Sequence, residues 1–319
     1  MIKYAIIGAG WRSEFYLKIA ALLPNEFSVS GIYIRNSEKQ KEFAKKYNVK
    51  ICGTLDGLLK TDFDFIVSCV NKDGISDMIK TLTALDIPVL TETPVTDGTL
   101  GGRVQVAEQF HFMPRNQAYK KIIDSGILGE VHSVRLSCCH DYHAASLIRF
   151  FLDTGFEKPE ITSISLIDPV TRYNSRAGYI TPAVIKEEEK IKIFKFKDKT
   201  AVYDFSFEQY FSDIRSSQIN IRGTNGEIVN NTCSYLKDGV PQRFEIYRNT
   251  YGVEESLDGM CLFSITGGGE VLYTNPFPLA RLSDEEIAIA TCLVKMKAYI
   301  KTGEAFYSLK DAEFDCAII

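Results

Sequence analysis

The sequence lacks the features that mark several classes of protein. None of its 319 residues belong to an apolar run near the roughly 18 residues that a membrane span needs. The net charge is −4 and there is no basic tract, zinc-finger pattern or basic helix, which argues against nucleic-acid binding. Internal repeats and low-complexity tracts are also missing. We therefore expect neither a membrane protein nor a nucleic-acid-binding protein.

The eight cysteines are scattered and include no C-x-x-C pair. Met1-Ile-Lys leads directly into an apolar strand, so we expect no signal peptide. We interpret the cysteines as reduced thiols of a cytoplasmic protein. Hydrophobic residues make up 45% of the chain and charged residues 24%, as in a globular protein, and the length accommodates two domains.

The segment from Lys3 to Ser13 is the most informative part of the chain. An apolar strand runs into Gly8-x-Gly10, and a helix-like segment from Glu14 to Leu23 follows. Gly8 permits a tight turn, Gly10 lets the backbone approach a pyrophosphate, and the helix N-terminus offers N–H groups to the anion. Ser13 occupies the third glycine position. An ordinary strand-to-helix turn is the alternative. The predicted cofactor contacts are Gly8, Ala9, Gly10, Trp11 and Arg12.

Strand and helix signals alternate through the rest of the first hundred residues. Alternation of this kind predicts a doubly wound parallel sheet. The predicted strands are Phe27–Ile34, Val49–Cys52, Phe65–Val70 and Pro88–Thr91. The predicted helices are Ser37–Tyr47, with Ser37 as its N-cap, and Ile75–Leu85.

The connection into the next predicted strand, Arg103–Glu108, is unusually short. It consists of Val95–Gly102, whereas a parallel crossover usually needs a dozen or more residues. Either the crossover helix is lost, or the strand joins the sheet differently, or a segment is absent from the numbered chain.

The character of the sequence changes after Pro114. Strands dominate from Ile161 to Tyr273, with helices on both sides, which predicts an α+β domain. We therefore expect a first domain of residues 1–114 and a second of residues 115–319. The predicted helices are Arg115–Ser125, Tyr142–Leu152, Asp284–Tyr299 with Ser283 as its N-cap, and one from Leu309 onward. The predicted strands include Val131–Cys138, Ile191–Phe196, Ala201–Phe207, Gln218–Arg222 and one in Gln209–Arg215 that runs into a turn.

Four further segments, in their order and spacing, resemble one family, the glucose–fructose oxidoreductase/inositol dehydrogenase/MocA-like oxidoreductases. The resemblance implies a Rossmann domain that binds NAD(P) and an α+β domain with an open, mostly antiparallel sheet. It also implies hydride transfer to or from a sugar-like substrate. The four segments are Glu92-Thr93-Pro94, Val104–Pro114, Asp124–Val131 and His143–Leu152.

The sequence departs from the family pattern at two catalytic positions. Thr93 stands where the family has a lysine that binds the reacting hydroxyl, and a neutral donor is weaker than a charged one. Cys139 stands where the family has an aspartate. His143 remains as the implied general base, with a structural histidine as the alternative. We expect Thr93, and His140 or Lys72, to hydrogen-bond the substrate oxygen.

The acidic residue that usually holds the ribose hydroxyls is also missing. Ile34 takes its place and Arg35 follows, which favours NADP over NAD because an arginine can hold a 2′-phosphate. Arg35 stacking on adenine or facing solvent is the alternative. Val70, Asn71 and Glu92 are further predicted cofactor contacts.

Cys138-Cys-His-Asp-Tyr-His143 contains residue types that bind metals, but its spacing is too dense for a tetrahedral site, so we expect no metal. We expect His140, Tyr142 and His143 to form the floor of a substrate site. Arg172 and Arg176 are candidate contacts for substrate hydroxyls or a carboxylate, or else belong to a solvated loop. The Tyr- and Phe-rich strands predict a homo-oligomer.

Three functions fit these residues. The first is a cytoplasmic NAD(P)-dependent oxidoreductase acting on a sugar, polyol or related hydroxy compound. The second is a catalytically degenerate nucleotide- or sugar-binding regulator, which the missing lysine and aspartate favour. The third is a glycoside-processing enzyme that uses bound NAD as a transient hydride carrier.

Overall fold

A computed structural model describes residues 1–251 and 260–319. The chain divides into two compact units. The first unit comprises Met1–Pro114, Asn275–Ala317 and the described part of Thr250–Phe263. The second comprises Arg115–Asn249, Ser264–Thr274 and Ile318–Ile319. Within the described residues, no helix is long and apolar enough to cross a membrane.

Strands and helices are numbered separately, each in chain order. The strands are β1 Ile2–Ile7, β2 Phe27–Tyr33, β3 Ile51–Cys52, β4 Phe65–Ser68, β5 Val89–Thr91, β6 Val104–Val106, β7 Val131–Ser137, β8 Glu160–Ser175, β9 Gly178–Lys195, β10 Thr200–Ser206, β11 Gln218–Gly223, β12 Gly226–Val229, β13 Thr232–Lys237, β14 Val240–Glu245, β15 Tyr247–Thr250, β16 Leu262–Gly267 and β17 Glu270–Thr274. The helices are α1 Trp11–Leu22, α2 Ser37–Lys46, α3 Leu55–Leu59, α4 Ile75–Thr83, α5 Pro114–Asp124, α6 Asp141–Leu152, α7 Asp284–Thr302 and α8 Leu309–Ala317.

The first unit contains a six-stranded sheet of order β3-β2-β1-β4-β5-β6, and every pair is parallel. This is the doubly wound Rossmann order, so the predicted fold of the first domain is confirmed. All four residues of β4 are buried, as expected for a strand with both faces covered. The order reverses between β1 and β4, where open sheets of this type bind ligands beyond the carboxyl ends of their strands.

The short connection after β5 contains no helix, and β6 joins the sheet as a parallel neighbour of β5. The apolar face of β6 is covered instead by the C-terminal helix α8. Leu309 of α8 belongs to the same buried cluster as Val104 and Val106. Gln105 reinforces this contact, because its Oε1 accepts from the backbone N–H groups of Phe306 and Tyr307 at 2.9 and 3.0 Å.

The second unit contains an eight-stranded sheet of order β14-β13-β12-β11-β7-β10-β9-β8. Its described pairs are antiparallel except for β7 with β10, which confirms the predicted open, mostly antiparallel sheet. Helix α6 packs on β7. The long hairpin of β8 and β9 forms one edge of the sheet. A separate small sheet has the order β15-β16-β17.

Three details of the sequence-based prediction are corrected. Residues 275–317, expected in the second domain, belong to the first unit, because the apolar face of α7 packs on α1 and β1. The segment Gln209–Arg215, expected as a strand that runs into a turn, begins instead within a 3₁₀ helix, Phe207–Phe211. The N-cap of α2 is Asn36, whose Oδ1 accepts from the backbone N–H groups of Glu38 and Lys39. Ser283 caps α7 as predicted, in a capping box with Glu286.

Because α8 covers the sheet where the crossover helix is missing, its apolar side chains are expected to stabilise the first unit. Leu309→Ala removes a buried side chain and should lower the free energy of unfolding by about 2–5 kcal/mol. Leu85→Ala, at a half-exposed position of the same unit, is the control and should change it by less than about 0.5 kcal/mol. Urea titration measures both values. Similar losses in the two variants would contradict this role for α8.

Candidate functional site

Two glycines follow β1, and the structure requires them for different reasons. Gly8 has a φ of +109°, and a Cβ atom there would lie 2.5 Å from the backbone carbonyl oxygen of Cys69. Gly8 is therefore needed by the protein itself. Gly10 has extended backbone at the N-cap of α1, and a Cβ atom there would meet no atom within 4 Å. The space over Gly10 is open to a ligand, as a close approach of pyrophosphate requires.

Ser13 is accommodated in the third glycine position of the fingerprint. Its side chain is fully buried, and its Oγ donates to the carbonyl oxygen of Gly10 at 2.6 Å. The hydroxyl thus gains a partner within the turn, and the backbone N–H of Ser13 donates to the same oxygen at 3.1 Å. The helix begins with exposed Trp11, and no side chain caps its first turn. This helix N-terminus lies beside the open space over Gly10 and is the predicted anion site.

Arg12 and Glu92, two predicted cofactor contacts, are bound to each other. The Arg12 Nε donates to Glu92 Oε2 at 2.7 Å, and its Nη1 donates to Glu285 Oε1 at 2.6 Å. The Tyr16 hydroxyl also donates to Glu92, and burial raises the pKa of Tyr16 well above its ordinary value. Both charged side chains are nearly buried, so they form an internal ion pair. The guanidinium of Arg12 is therefore engaged within the protein, so the cofactor contact predicted for Arg12 would be made by its backbone.

The carboxyl end of β2 leads to two exposed cations. Ile34 is buried where the family usually has an acid, whereas Arg35 is exposed. Lys39, in the first turn of α2, places its Nζ 3.3 Å from the carbonyl oxygen of Ala9 in the glycine turn. Sequence reasoning did not find Lys39. Its position in the first turn of the helix after β2, three residues beyond the N-cap Asn36, could have indicated that it lies near the glycine turn. Arg35 and Lys39 give this edge of the sheet a positive charge.

The remaining predicted contacts of the first unit follow β4 and β5. Val70 and Asn71 lie two and three residues after β4, and Asn71 is the N-cap of a 3₁₀ helix that begins at Lys72. Thr93 lies two residues after β5, is half-buried and precedes Pro94 in a cis peptide bond. These residues thus follow the carboxyl ends of neighbouring strands of one parallel sheet.

The second unit brings together the three predicted residues of the substrate floor. His140 is the N-cap of α6, and its ring centroid lies 5.0 Å from that of His143 and 5.1 Å from that of Tyr142. The side chain of His143 is buried in the first turn of the helix. We call these three residues, with Tyr203 and Tyr210, the histidine–tyrosine cluster.

Tyr203 and Tyr210 hold the start of α6 in place. The backbone N–H of His140 donates to the Tyr210 hydroxyl at 2.8 Å, and that of Asp141 donates to the Tyr203 hydroxyl at 3.1 Å. Burial raises the pKa of both phenols. Sequence reasoning missed both tyrosines. The inward position of Tyr203 depends on its register with Leu136 of β7, which local sequence does not reveal.

The adjacent cysteines at the end of β7 form a thiol pair. Their Sγ atoms lie 3.8 Å apart. The hydrogen bond between the two thiols, together with the positive charge of Arg115, lowers the pKa of Cys138. Across the described part of the chain, no group of three or more His, Cys, Asp or Glu side chains is arranged to hold a metal ion.

Arg172 and Arg176 differ in their surroundings. Arg172 lies within β8, not in a loop as one alternative suggested, and its guanidinium pairs with the carboxylate of Glu208. Arg176 lies in the turn between β8 and β9. The Arg172 side chain is therefore engaged within the protein.

Two lysines of β9 also belong to the surroundings of α6. Lys190 Nζ lies 3.6 Å from Asp141 Oδ1. Lys192 pairs directly across the strands with Tyr203. Burial lowers the pKa of Lys192, and the neighbouring charge of Lys190 contributes to this shift. Sequence reasoning missed both lysines.

The two glycines of the fingerprint should respond differently to substitution. Gly8→Ala is expected to cost at least about 2 kcal/mol of unfolding free energy, because the backbone is left-handed and the new Cβ meets a carbonyl. Gly10→Val should change stability by less than about 1 kcal/mol but abolish tight NADPH binding. Denaturant unfolding and NADPH fluorescence titration measure the two effects. Equal NADPH affinity in wild type and Gly10→Val would contradict a pyrophosphate site at Gly10.

Comparisons with known proteins agree with the fold. Residues 2–111 match the sequence model of a family described as "Oxidoreductase family, NAD-binding Rossmann fold", the GFO_IDH_MocA family. The chain is 25% identical over 203 residues to an L-aspartate dehydrogenase of Methanococcus maripaludis (strain C7), a match that covers 60% of this chain and 72% of that protein.

Solved structures show the same fold over the whole chain. One is an oxidoreductase from Agrobacterium radiobacter in complex with NAD⁺, L-tartaric acid and magnesium, with a TM-score of 0.67, 14% identity and coverage of 99% of this chain and 94% of that one. Another is a myo-inositol dehydrogenase from Corynebacterium glutamicum, with a TM-score of 0.64, 14% identity and coverage of 100% and 94%. Residues 2–111 thus match the model of the glucose–fructose oxidoreductase/inositol dehydrogenase/MocA-like oxidoreductase family, and the whole chain shares the fold of these solved structures.

Proposed function

We propose that this protein is an NAD(P)-dependent oxidoreductase that transfers a hydride between nicotinamide and a carbinol carbon of a sugar, polyol or related hydroxy compound. The open space over Gly10, at the uncapped N-terminus of α1, is the observation that carries the proposal. The protein's own packing gives no reason for glycine there, whereas a bound pyrophosphate does. The family match over residues 2–111 supports the same cofactor class.

Residues of the chain bind the substrate and move its hydroxyl proton. A bound nicotinamide supplies the site that accepts or donates the hydride. His143 removes the hydroxyl proton of the substrate, which suits an imidazole whose ordinary pKa is about 6.5. His140, whose Nδ1 is 2.8 Å from the Tyr210 hydroxyl, is held in a fixed orientation beside it. In the first unit, Thr93 offers a neutral hydroxyl in place of the family lysine.

A regulator remains the second candidate, because Thr93 and Cys139 replace the two charged residues that the family uses in catalysis. Such a protein would bind a nucleotide and a sugar-like ligand without turnover. The two candidates share the glycine turn and differ in chemistry, so kinetic measurements separate them.

We also propose a homo-oligomer. Ile164 of β8 and Ile193 of β9 are 55% and 47% exposed, and they lie on one face of the long hairpin. Apolar patches of this kind usually mark protein contacts.

We further propose that the protein resides in a reducing compartment such as the cytoplasm. All eight cysteines are free thiols, and six of them are buried. Free thiols persist in reducing compartments, whereas oxidising compartments favour disulfides.

The first prediction of this function concerns cofactor choice. Arg35 and Lys39 are exposed cations beside the glycine turn, and Ile34 leaves no carboxylate to repel a 2′-phosphate. We expect NADP to bind roughly 10- to 100-fold more tightly than NAD, the equivalent of one charge-assisted hydrogen bond. Arg35→Ala should remove this difference, and Lys39→Ala should reduce it.

Titration calorimetry with both cofactors measures these affinities. Lys45→Ala, an exposed lysine in the last turn of the same helix, is the control and should keep the wild-type preference. A wild type that prefers NAD would refute the assignment of Arg35 and Lys39.

The second prediction concerns the general base. His143→Asn should lower turnover by about 10²–10⁴-fold, because removal of a general base typically has this effect, while NADP affinity stays unchanged. His132→Asn, at an exposed position of β7, is the matched control and should keep full activity. NADP reduction is followed across a screen of sugars, polyols and hydroxy acids.

Two outcomes of that screen would change the proposal. Full activity of His143→Asn would remove His143 from catalysis. A wild type that turns over no compound, yet is stabilised against heat by some of them, would favour the regulator.

A further inference from the structure

The histidine–tyrosine cluster is bordered by two lysines that carry the argument. Lys190 and Lys192 alternate with Ile191 along β9, so their side chains share one face of the sheet. They pair across the strands with Phe205 and Tyr203 of β10. Both lysines are half-buried, and the Tyr203 hydroxyl accepts the backbone N–H of Asp141 at the start of α6. The two ammonium groups therefore lie beside the helix that carries His143.

The charges of these lysines are only partly compensated. Asp141 pairs with Lys190 at 3.6 Å. Across residues 1–251 and 260–319, no carboxylate makes an ion pair with Lys192. Asp141 and the exposed Glu188 favour the charged form of Lys192 from a distance, whereas burial and Lys190 oppose it and lower its pKa. A further anion at Lys192 would be favoured, because it would stabilise an ammonium that water solvates incompletely.

Arg172, one of the two arginines predicted to bind a substrate carboxylate, is already paired within the protein. The Arg172 guanidinium is held by the nearly buried carboxylate of Glu208. Lys190 is paired with Asp141, so the ammonium of Lys192 is the cation beside the cluster that makes no ion pair within the described residues. A single ammonium group matches a carboxylate monoanion better than a phosphate dianion. The aromatic rings of the cluster offer contacts to the carbon chain of such a ligand.

We propose that Lys192, assisted by Lys190, binds a carboxylate of the substrate, so that the protein acts on hydroxy acids rather than on neutral sugars or polyols. This inference rests on the proposed oxidoreductase function and names its substrate class. It makes Lys192 a specificity-determining residue that touches the end of the substrate remote from the reacting carbon.

The test compares ligands that differ in the carboxylate alone. D-gluconate is paired with D-glucitol, and L-threonate with L-threitol, within a panel of three- to six-carbon hydroxy acids and their neutral alcohols. Calorimetry gives the affinity of each for the full chain in the presence of NADP. We expect the acids to bind more tightly than their alcohols. Lys192→Gln should weaken acid binding roughly 10- to 100-fold, the equivalent of a lost charge-assisted hydrogen bond, and leave the alcohols unchanged.

Two further variants distinguish charge from folding. Lys192→Arg should keep most of the preference for acids. Lys195→Gln is the matched control, because Lys195 lies on the same strand, is exposed and pairs with Glu160. It should behave as wild type. Equal affinity for acids and alcohols in the wild type, equal loss for both in Lys192→Gln, no acid of the panel binding at millimolar concentration, or tighter binding of a sugar phosphate would each overturn the inference.

Cofactor titration separates this inference from the proposed function. NADPH fluorescence should be the same for wild type, Lys192→Gln and Lys195→Gln. If neither the wild type nor the variants bind NADPH, the oxidoreductase proposal fails. Carboxylate binding at Lys192 would then be tested without NADP, as a difference in acid affinity between wild type and Lys192→Gln. If NADPH binds and neutral polyols are the preferred substrates, the oxidoreductase proposal stands and the substrate class is wrong.

Discussion

The buried carboxylate of Glu92 is the constraint on which the first unit depends. A charged group inside a protein is tolerated only when it is paired and hydrogen-bonded, and removal of one partner typically costs several kcal/mol. Glu92 satisfies this requirement with Arg12 and Tyr16, both from α1. The ion pair thus joins the end of β5 to the first turn of α1, and Glu285 extends it to the first turn of α7. The helix that follows the glycine turn is fixed at its N-terminus by charge as well as by packing.

The parts of the fold that local chemistry determines could be predicted from the sequence. The strand before Gly8, the helix after Gly10 and the capping box of α7 depend on residues a few positions apart. The apolar run of β4 likewise predicted a strand buried on both faces. Features set by pairing between distant segments could not be predicted in this way. The inward position of Tyr203 and the neighbourhood of Lys192 follow from the register of β10 with β7 and β9.

Competition between local hydrogen bonds explains two of the errors. Asn36 takes the N-cap of α2 in place of Ser37, since its amide oxygen reaches two backbone N–H groups. The Oε1 of Gln209 accepts from the backbone N–H of Ser206 at the start of a 3₁₀ helix, although the sequence that follows alternates as in a strand. Arg12 and Glu92 were assigned to the cofactor because of their positions after β1 and β5. The contact between their side chains depends on the fold of the whole unit and has no signal in either motif.

The replacement of the crossover helix by α8 has a consequence for the order of folding. The hydrogen bond between Gln105 and Tyr307 joins residues 202 positions apart. During synthesis, β6 leaves the ribosome long before the segment that covers it. The apolar side chains of Val104 and Val106 therefore remain uncovered until Tyr307 and Leu309 have been made. Contacts between residues so far apart in sequence also form slowly, because closing a long loop costs conformational entropy before the stabilising contacts are made. The six-stranded sheet of the first unit is therefore fully covered only after α8 has been made.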